Sequence, residues 1–455
     1  MCGPRLFLTI TIRVLLLLVV VFVTCATPAS RALAVEAQCA PQVDIADGNR
    51  AAEAFFQQRV LNLISVGTAA QSLPAGFVHA ADFAAAGDGI ADDTAALQRA
   101  LNEARKVWLG TRRVYRLTRR LTVPSNAELA SDGTATLLMA TAPGAFDNAI
   151  AHRSDTAIYG ERGTALRAEG RDIAIRDLFI IKEFEDNRYV IGVDVRASSR
   201  VKIQRLRMRG FSLAPGIITI RSSDQVEVSS TLIHDACTAS NQVPEDAASF
   251  QITGIAIDDT RVNKRGSTRI VIENNVIANL RMIPLTYRRT QTDGINFAAI
   301  GTGSGSIVRD NYVSNVDEAL DIYGSSIEVS GNRLQATGTV VKLIHGARSV
   351  TIRSNQITAS GSALAVGLFR ASPDEEARQV RDVVIERNRF RVAESERAAV
   401  RVEAKGSYPP KGVVIRDNTF AVAQCRQRVI SCLKNQCTVS SNRRRRSADN
   451  VDCTN

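Results

Sequence analysis

From residue 171 to 442 the chain repeats one short phrase. Two or three alternating β-formers are followed by two small or polar residues, an asparagine and another apolar residue. Clear copies are Ile270-Val271-Ile272-Glu273-Asn274-Asn275-Val276-Ile277, Ile327-Glu328-Val329-Ser330-Gly331-Asn332-Arg333-Leu334 and Val350-Thr351-Ile352-Arg353-Ser354-Asn355-Gln356-Ile357. Stretches 383–390 and 413–420 repeat it with Asn388 and Asn418, and 308–313 is a looser copy with Asn311. Alternation over so few residues marks a strand with one buried face. A strand this short is not stable alone, but stacking equivalent strands builds parallel sheets around a continuous apolar core. Asn311, Asn332 and Asn355 lie 21 and 23 residues apart, and the other gaps are 36, 33 and 30. The pattern therefore predicts an all-β solenoid with a core repeat of just over twenty residues and insertions between rungs. A second strand series runs alongside at 254–257, 294–297, 319–322, 340–343, 363–366 and 399–402, so each rung carries at least two strands. The recurring asparagine falls at the bend between them. There it is expected to take a left-handed backbone conformation and to bond to backbone or to the next asparagine in the stack. A leucine-rich repeat would need a Leu-rich phrase that is absent, and a β-sandwich gives no reason for a recurring asparagine.

Upstream the pattern changes. Arg5 and Arg13 precede an unbroken apolar run at 14–23, and Ala32-Leu33-Ala34 offers a small-x-small cleavage site, so residues 1–34 read as a signal peptide. The run is short for a spanning helix, and Thr24 before Cys25 argues against lipidation. Export to the cell envelope, periplasm or exterior is the expectation, with no stable membrane insertion after cleavage. Residues 35–79 form a linker and an amphipathic helix at 49–64, 80–442 form the solenoid, and 443–455 form a basic, cysteine-containing tail whose Arg443 to Arg446 run reads as solvated.

Charge and cysteines refine this. The formal net charge is +11; residues 1–34 hold three arginines and no acid, so their removal leaves +8. That balance favours an anionic partner. Specific nucleic-acid binding is not expected, because the basic residues are scattered along strands rather than gathered in a recognition element. Of eight cysteines, six lie outside the leader. An exported chain permits disulfides: Cys425, Cys432, Cys437 and Cys453 are expected to staple the last rung and tail, and Cys39 and Cys237 to pair the N-terminal segment with a loop.

Residues 81–101 add a cap. Gly87-Asp88-Gly89 reads as a tight turn, and Asp92 or Asp93 as the cap of a helix running to about Ala104, with Ala96, Leu97, Ala100 and Leu101 apolar. Such a helix would cover the open end of the coil, and strands at 107–109, 114–117 and 121–123 would start it. The stretch resembles the N-terminal cap of the pectate-lyase-like superfamily: an Asp-Phe pair (Asp82-Phe83), a small-residue bend, Gly-Asp-Gly, Asp-Asp-Thr opening a helix, then a Pro-Ser-Asn strand (Pro124-Ser125-Asn126). Ala84 stands for the usual glycine and Arg113-Val114-Tyr115 for the usual Gly-x-Tyr. The resemblance implies a right-handed single-stranded parallel β-helix with an N-terminal capping helix. It implies a family spanning polysaccharide lyases, glycan hydrolases, epimerases and phage tailspikes, so fold alone does not choose the chemistry.

Insertions at 182–189, 234–250 and 279–292 follow the same bend of their rungs and are expected to wall one side of a cleft; 258–268 is a further basic insertion. Their Tyr189, Tyr287, Arg288 and Arg289 suit sugar rings and carboxylates by stacking and forked hydrogen bonds, with Asn296 and Tyr323 from the second strand series as further substrate contacts. Chemistry concentrates in residues 291–346. Asp293, then Asp317, Glu318 and Asp321, then Lys342 and His345 recur at about one rung each, so they can share one wall. The order resembles that of the polygalacturonase family, with Gln291-Thr292-Asp293, Asp317-Glu318 and Ile344-His345-Gly346 in the places of its three motifs. That resemblance implies acid and base roles for Asp293, Asp317 and Glu318 and an assisting role for His345, although Gln291, Glu318 and Ile344 depart from its pattern and no clear Arg-x-Lys follows.

Hydrolysis of a polysaccharide, acidic by the charge balance, with paired carboxylates and no cofactor, is the first expectation. Elimination or epimerisation at a uronate is the alternative. Lys342, Arg288 or Arg289 would then serve as base or charge clamp and Tyr287 or His345 as acid. The family resemblance adds Ca²⁺ to that alternative, held by Asp258 and Asp259 or by Asp317 with Asp321. A non-catalytic glycan-binding envelope protein, monomeric or oligomeric, completes the set.

Overall fold

The computed structural model describes residues 73–140, 163–182, 190–211, 216–238, 249–259, 266–282, 289–360, 364–369, 375–392, 398–403, 406–433, 435–446 and 452–453. The leader, the 49–64 helix and Cys39 lie outside them. Among the described residues no helix is long and apolar enough to cross a membrane.

The fold is a right-handed parallel β-helix. Every pairing between its strands is parallel, in one 22-stranded and one 13-stranded sheet. The larger sheet contains two columns of strands. They are joined through Gly163–Arg176 and Val190–Gln204, long strands that pair with both columns and shift register between Arg196 and Ser199. Each full rung thus has three strands. One example runs Glu318–Ile322, Ile327–Ser330 and Arg333–Ala336. The sequence pattern anticipates all three, since the repeated phrase spans the second and third strands and the accompanying series is the first.

Alternation explains the core. Val329 and Ile352 stack on Ile385 and Ile415, all buried. Phe390 and Phe420 do the same one strand later, their rings stacked with centroids 4.7 Å apart. Stacking like on like removes each side chain from water using neighbours that are themselves apolar.

The asparagines form a ladder. The side-chain amide of Asn275 donates to Asn311 Oδ1 at 3.0 Å, and the series continues through Asn332, Asn355, Asn388 and Asn418 to Asn442. Each amide also reaches a backbone carbonyl, as Asn355 does to Val329 at 3.0 Å. The left-handed residue, however, is the one before each asparagine: Asn274, Asp310, Gly331, Ser354, Arg387, Asp417 and Ser441 all have φ between 54° and 67°. The expectation of a left-handed asparagine is corrected accordingly. Its Oδ1 must meet the backbone N–H of the neighbouring asparagine, as from Asn332 at 2.9 Å, and the turn is made one residue earlier.

At the N-terminal end the helix spans Thr94–Glu103 and buries Ala96, Leu97, Ala100 and Leu101 against the core. Asp92 serves its first turn, accepting from the Thr94 N–H at 3.0 Å. Asp93 instead braces the preceding turn through the Ala86 N–H at 2.6 Å. Gly87 and Gly89 have positive φ, but Asp88–Asp92 is a strand and not only a turn. At the other end Arg443–Arg446 is not a loose tail. It pairs with Thr419–Val422 as a further strand, so the coil extends past 442. Disulfides join Cys425 to Cys453 and Cys432 to Cys437 around this rung, and Cys237 is also disulfide-bonded.

Candidate active site

The site lies on the outer face of the first column, on the strands Arg289–Phe297, Glu318–Ile322 and Thr339–Leu343. Register places Asp293 beside Glu318, and Asn296, Asp321 and Lys342 in one line across the three rungs. Strict alternation would put Asp293 and Asn296 on opposite faces. The strands avoid this by turning two consecutive residues inward. Ala319 and Leu320 are both in the core, as are Val340 and Val341. A Cβ on Gly294 would stand 2.5 Å from the Val313 side chain, so the position beside Ile295 must be glycine. Residues three apart therefore share the outer face, and Asn296 donates to Asp293 at 3.0 Å.

Asp293, Glu318 and Asp321 offer carboxylate oxygens all within 4.8 Å of one another. The Lys342 ammonium closes the cluster, 2.7 Å from Glu318 and 2.8 Å from Asp321. The Gln291 amide bridges it from the other side, donating to Asp293 at 2.6 Å and Glu318 at 2.7 Å. Asp293 and Asp321 are fully buried, while the Glu318 and Lys342 side chains keep 13% and 14% of their surface, which leaves those two open to a ligand.

Crowding three acids around one cation in a dry site shifts every group. Burial, then the Asp321 charge, pushes Glu318 up to about 9 and Asp293 up to about 7. Asp321 is raised by burial against the opposing pull of Lys342. Burial works against the Lys342 ammonium, but Asp321 and Glu318 outweigh it and hold its pKa above the ordinary lysine value. Next to the cluster, Tyr323 and His345 meet edge to face with ring centroids 4.7 Å apart. Burial and the Asp321 charge raise the Tyr323 hydroxyl; burial and the Arg378 charge lower His345, leaving it neutral. His345 Nδ1 and Asn296 Oδ1 are buried and have no hydrogen-bond partner among the described residues.

Of the expected catalytic residues, Asp293, Glu318, Asp321 and Lys342 come together and His345 sits beside them through Tyr323. Asp317 does not join. Its carboxylate accepts from the Thr292 N–H at 3.0 Å and the Thr337 hydroxyl at 3.2 Å, so it fastens the strand entrance. The partner of Asp293 is Glu318 instead. Asn296 and Tyr323, expected as substrate contacts, lie beside the cluster. Arg289 opens its strand opposite Ser249, and Tyr189, Tyr287 and Arg288 lie outside the described residues. Phe179–Lys182, Leu232–Thr238 and Val276–Met282, the strands that the three expected insertions follow, all belong to the 13-stranded sheet.

Neither pair named for Ca²⁺ fits the ion. Asp259 is consumed by Ser222, Ser267 and Thr302, and Asp258 faces Arg221 at 3.7 Å. Asp317 and Asp321 belong to different networks. The acidic triad has the oxygen donors a cation needs, but the Lys342 ammonium already pairs with Glu318 and Asp321, and the Gln291 amide donates to Asp293 and Glu318.

Gln291 is the site residue that sequence reading did not assign a role. Its signal is its place in the first polygalacturonase-like motif, two residues before Asp293 on the same outer face.

No protein-family model matches the chain, and no curated protein matches it by sequence. Solved structures match by fold. The A-module of the mannuronan C-5 epimerase AlgE6 from Azotobacter vinelandii superposes with a TM-score of 0.54 at 16% identity, covering 80% of this chain and 98% of the module. The tailspike protein of E. coli bacteriophage HK620, solved with a pentasaccharide, gives 0.56 at 10% identity, over 86% and 71%. PfbA, a surface adhesin of Streptococcus pneumoniae, gives 0.52 at 14%, over 81% and 90%. The chain thus shares the parallel β-helix fold of these proteins, as its cap motif and repeats led us to expect.

Proposed function

We propose that the protein is an exported carbohydrate-active enzyme that transfers a proton at a uronate residue of an acidic glycan, leading to elimination or C5 epimerisation. The observation that carries this reading is the Lys342 ammonium, 2.7 Å from Glu318 and 2.8 Å from Asp321, next to the Tyr323–His345 pair. Hydrolysis by paired carboxylates calls for two groups flanking the glycosidic bond, about 5–5.5 Å apart for retention and about 6.5–9.5 Å for inversion. Here two of the three acids are fully buried and all crowd around one lysine and one amide, a geometry that shares charge instead of flanking a bond.

Proton abstraction beside a carboxylate needs a cation for the developing charge, a base and an acid. Lys342 supplies the cation at the surface of the cluster. The His345 ring accepts the C5 proton, and the neighbouring Tyr323 hydroxyl is the acid, donating to the leaving oxygen in elimination or back to C5 in epimerisation. Glu318 keeps its own proton and lets the cluster hold the substrate carboxylate without accumulating negative charge. The epimerase and the pentasaccharide-bound tailspike support the glycan reading by likeness of fold, and the positive net charge supports an acidic one.

The test is a panel of polyuronates and neutral polysaccharides. Unsaturated ends, C5 configuration and reducing ends are scored separately. New unsaturation or inverted C5 on a polyuronate, lost in Tyr323→Phe, bears the proposal out. Reducing ends without either change would return the site to hydrolysis with Glu318 as general acid.

A further inference from the structure

We propose that the last rungs of the third strand column form a second binding site, for an acidic glycan chain, on a different sheet from the candidate active site. The strands Arg389–Val392, Thr419–Val422 and Arg443–Arg446 are in register, with Arg389 beside Thr419 and Arg443, and Arg391 beside Ala421 and Arg445. Phe390 and Phe420 point inward and stack in the core, which turns Arg389 and Arg391 outward, where both are exposed. Two rungs bearing arginine are thus separated by one bearing only small outward residues. The result is a trough of about 670 Å³ lined by Arg389, Arg391, Thr419, Ala421, Arg445 and Arg446. Strands in a sheet lie about 4.8 Å apart, so the two arginine walls stand about 10 Å from each other.

These arginines differ from three pairs along the second column, where an acid one rung away neutralises the arginine: Arg309 by Glu273, Arg353 by Glu328 and Arg416 by Glu386. In the trough Arg445 is paired with Asp452 at 2.8 Å. Arg389, Arg391 and Arg443 have no carboxylate within ion-pair distance among the described residues. Like charges held together on a rigid sheet repel, and an anion across the trough removes that cost.

Guanidinium forks match carboxylate and sulfate groups with paired hydrogen bonds, which a scattered lysine patch does not. The occupant is a sugar chain and not a nucleic acid. Among the described residues the only aromatic ring bordering the trough, Phe390, is 1% exposed and offers no stacking platform for bases. The described wall is strand, with no helix among those residues to enter a duplex groove. The recognised feature is an anionic group repeated along a glycan, carboxylate or sulfate. This site does not depend on the chemistry proposed for the first column.

The full chain is titrated with an oligouronate, a sulfated oligosaccharide of equal length and a single-stranded oligonucleotide of equal charge, at low and moderate salt. Hydrogen exchange is read in 389–392, 419–422 and 443–446. At least one of the two glycans is expected to protect these strands, with affinity that falls as salt rises. Arg389→Ser/Arg391→Ser is expected to weaken it about tenfold or more. Arg391→Lys, which keeps the charge and loses the fork, should fall between. Arg309→Ser/Arg353→Ser, removing two paired arginines elsewhere, should change affinity less than about twofold. Equal losses in the two double variants, no protection in the three strands, or tighter binding of the oligonucleotide than of either glycan would overturn the proposal.

Discussion

Burial and the Asp321 charge push the Glu318 carboxyl well above the ordinary range, and that has a consequence for stability. The folded-state values of Glu318 and Asp293, about 9 and about 7, lie above the ordinary carboxylate values of 4.5 and 3.8. Between these limits the native chain binds protons that the unfolded chain has released. The stabilisation is complete below the ordinary values and is lost as pH climbs through the raised ones. The melting temperature should therefore fall from about pH 5 to about pH 9, and Glu318→Gln should flatten that fall by roughly one proton's worth; an unchanged slope would show that Glu318 titrates normally. Lys342→Met leaves the acids without their cation. It should cost about 3–5 kcal/mol near pH 8 by urea unfolding and less near pH 5, below the raised values of Glu318 and Asp293. The acids themselves were legible, since residues such as Asp321 between Leu320 and Ile322 can only face outward. Gln291 was not: an amide has no charge or reactivity to mark it, and its role appears only when two rungs bring Asp293 and Glu318 to either side of its nitrogen.

The elements show which part of a repeat pattern reads directly and which does not. Strand positions and the asparagine period came through because alternation and recurrence survive variable insertions. The left-handed residue did not, because the position before each asparagine is filled by Asn, Asp, Gly, Ser or Arg with no common type. Asn355 has both ends of its amide bonded inside the stack, to Asn388 and Val329 on one side and from Asn332 on the other. Asn355→Ala should cost about 1–3 kcal/mol for the orphaned backbone groups. Asn442→Ala, at the half-exposed end of the ladder, should cost less, which thermal unfolding can compare. An equal cost at both positions would show that the ladder carries no buried penalty. Gly294→Ala is a sharper probe. The added carbon meets Val313 and the Ala319 carbonyl, so activity should be lost more completely than stability as the Asp293 strand shifts outward.

At the scale of the molecule, one outward line across the first column joins Arg167, Asp194, Thr219, Ala256, Asn296, Asp321, Lys342 and Gly367. Residues up to 200 positions apart in sequence share a wall because each rung advances by one strand spacing. Legibility ended at that wall: its rungs could be counted from the sequence, while the inward doubling at Gly294-Ile295, which decides which acids meet, could not. Because Lys342 already pairs with Glu318 and Asp321, any activity on a polyuronate should survive EDTA unchanged; a loss restored by Ca²⁺ would mean that the lysine yields its place. The central claim is proton transfer at a uronate carbon, and it is tested most directly by incubating a polyuronate with the protein in heavy water and reading deuterium at C5 and unsaturated ends by NMR. The account predicts one or both with the wild-type chain and neither with Lys342→Met or Tyr323→Phe. Cleavage of the polymer with C5 hydrogen fully retained and no unsaturated end would contradict it.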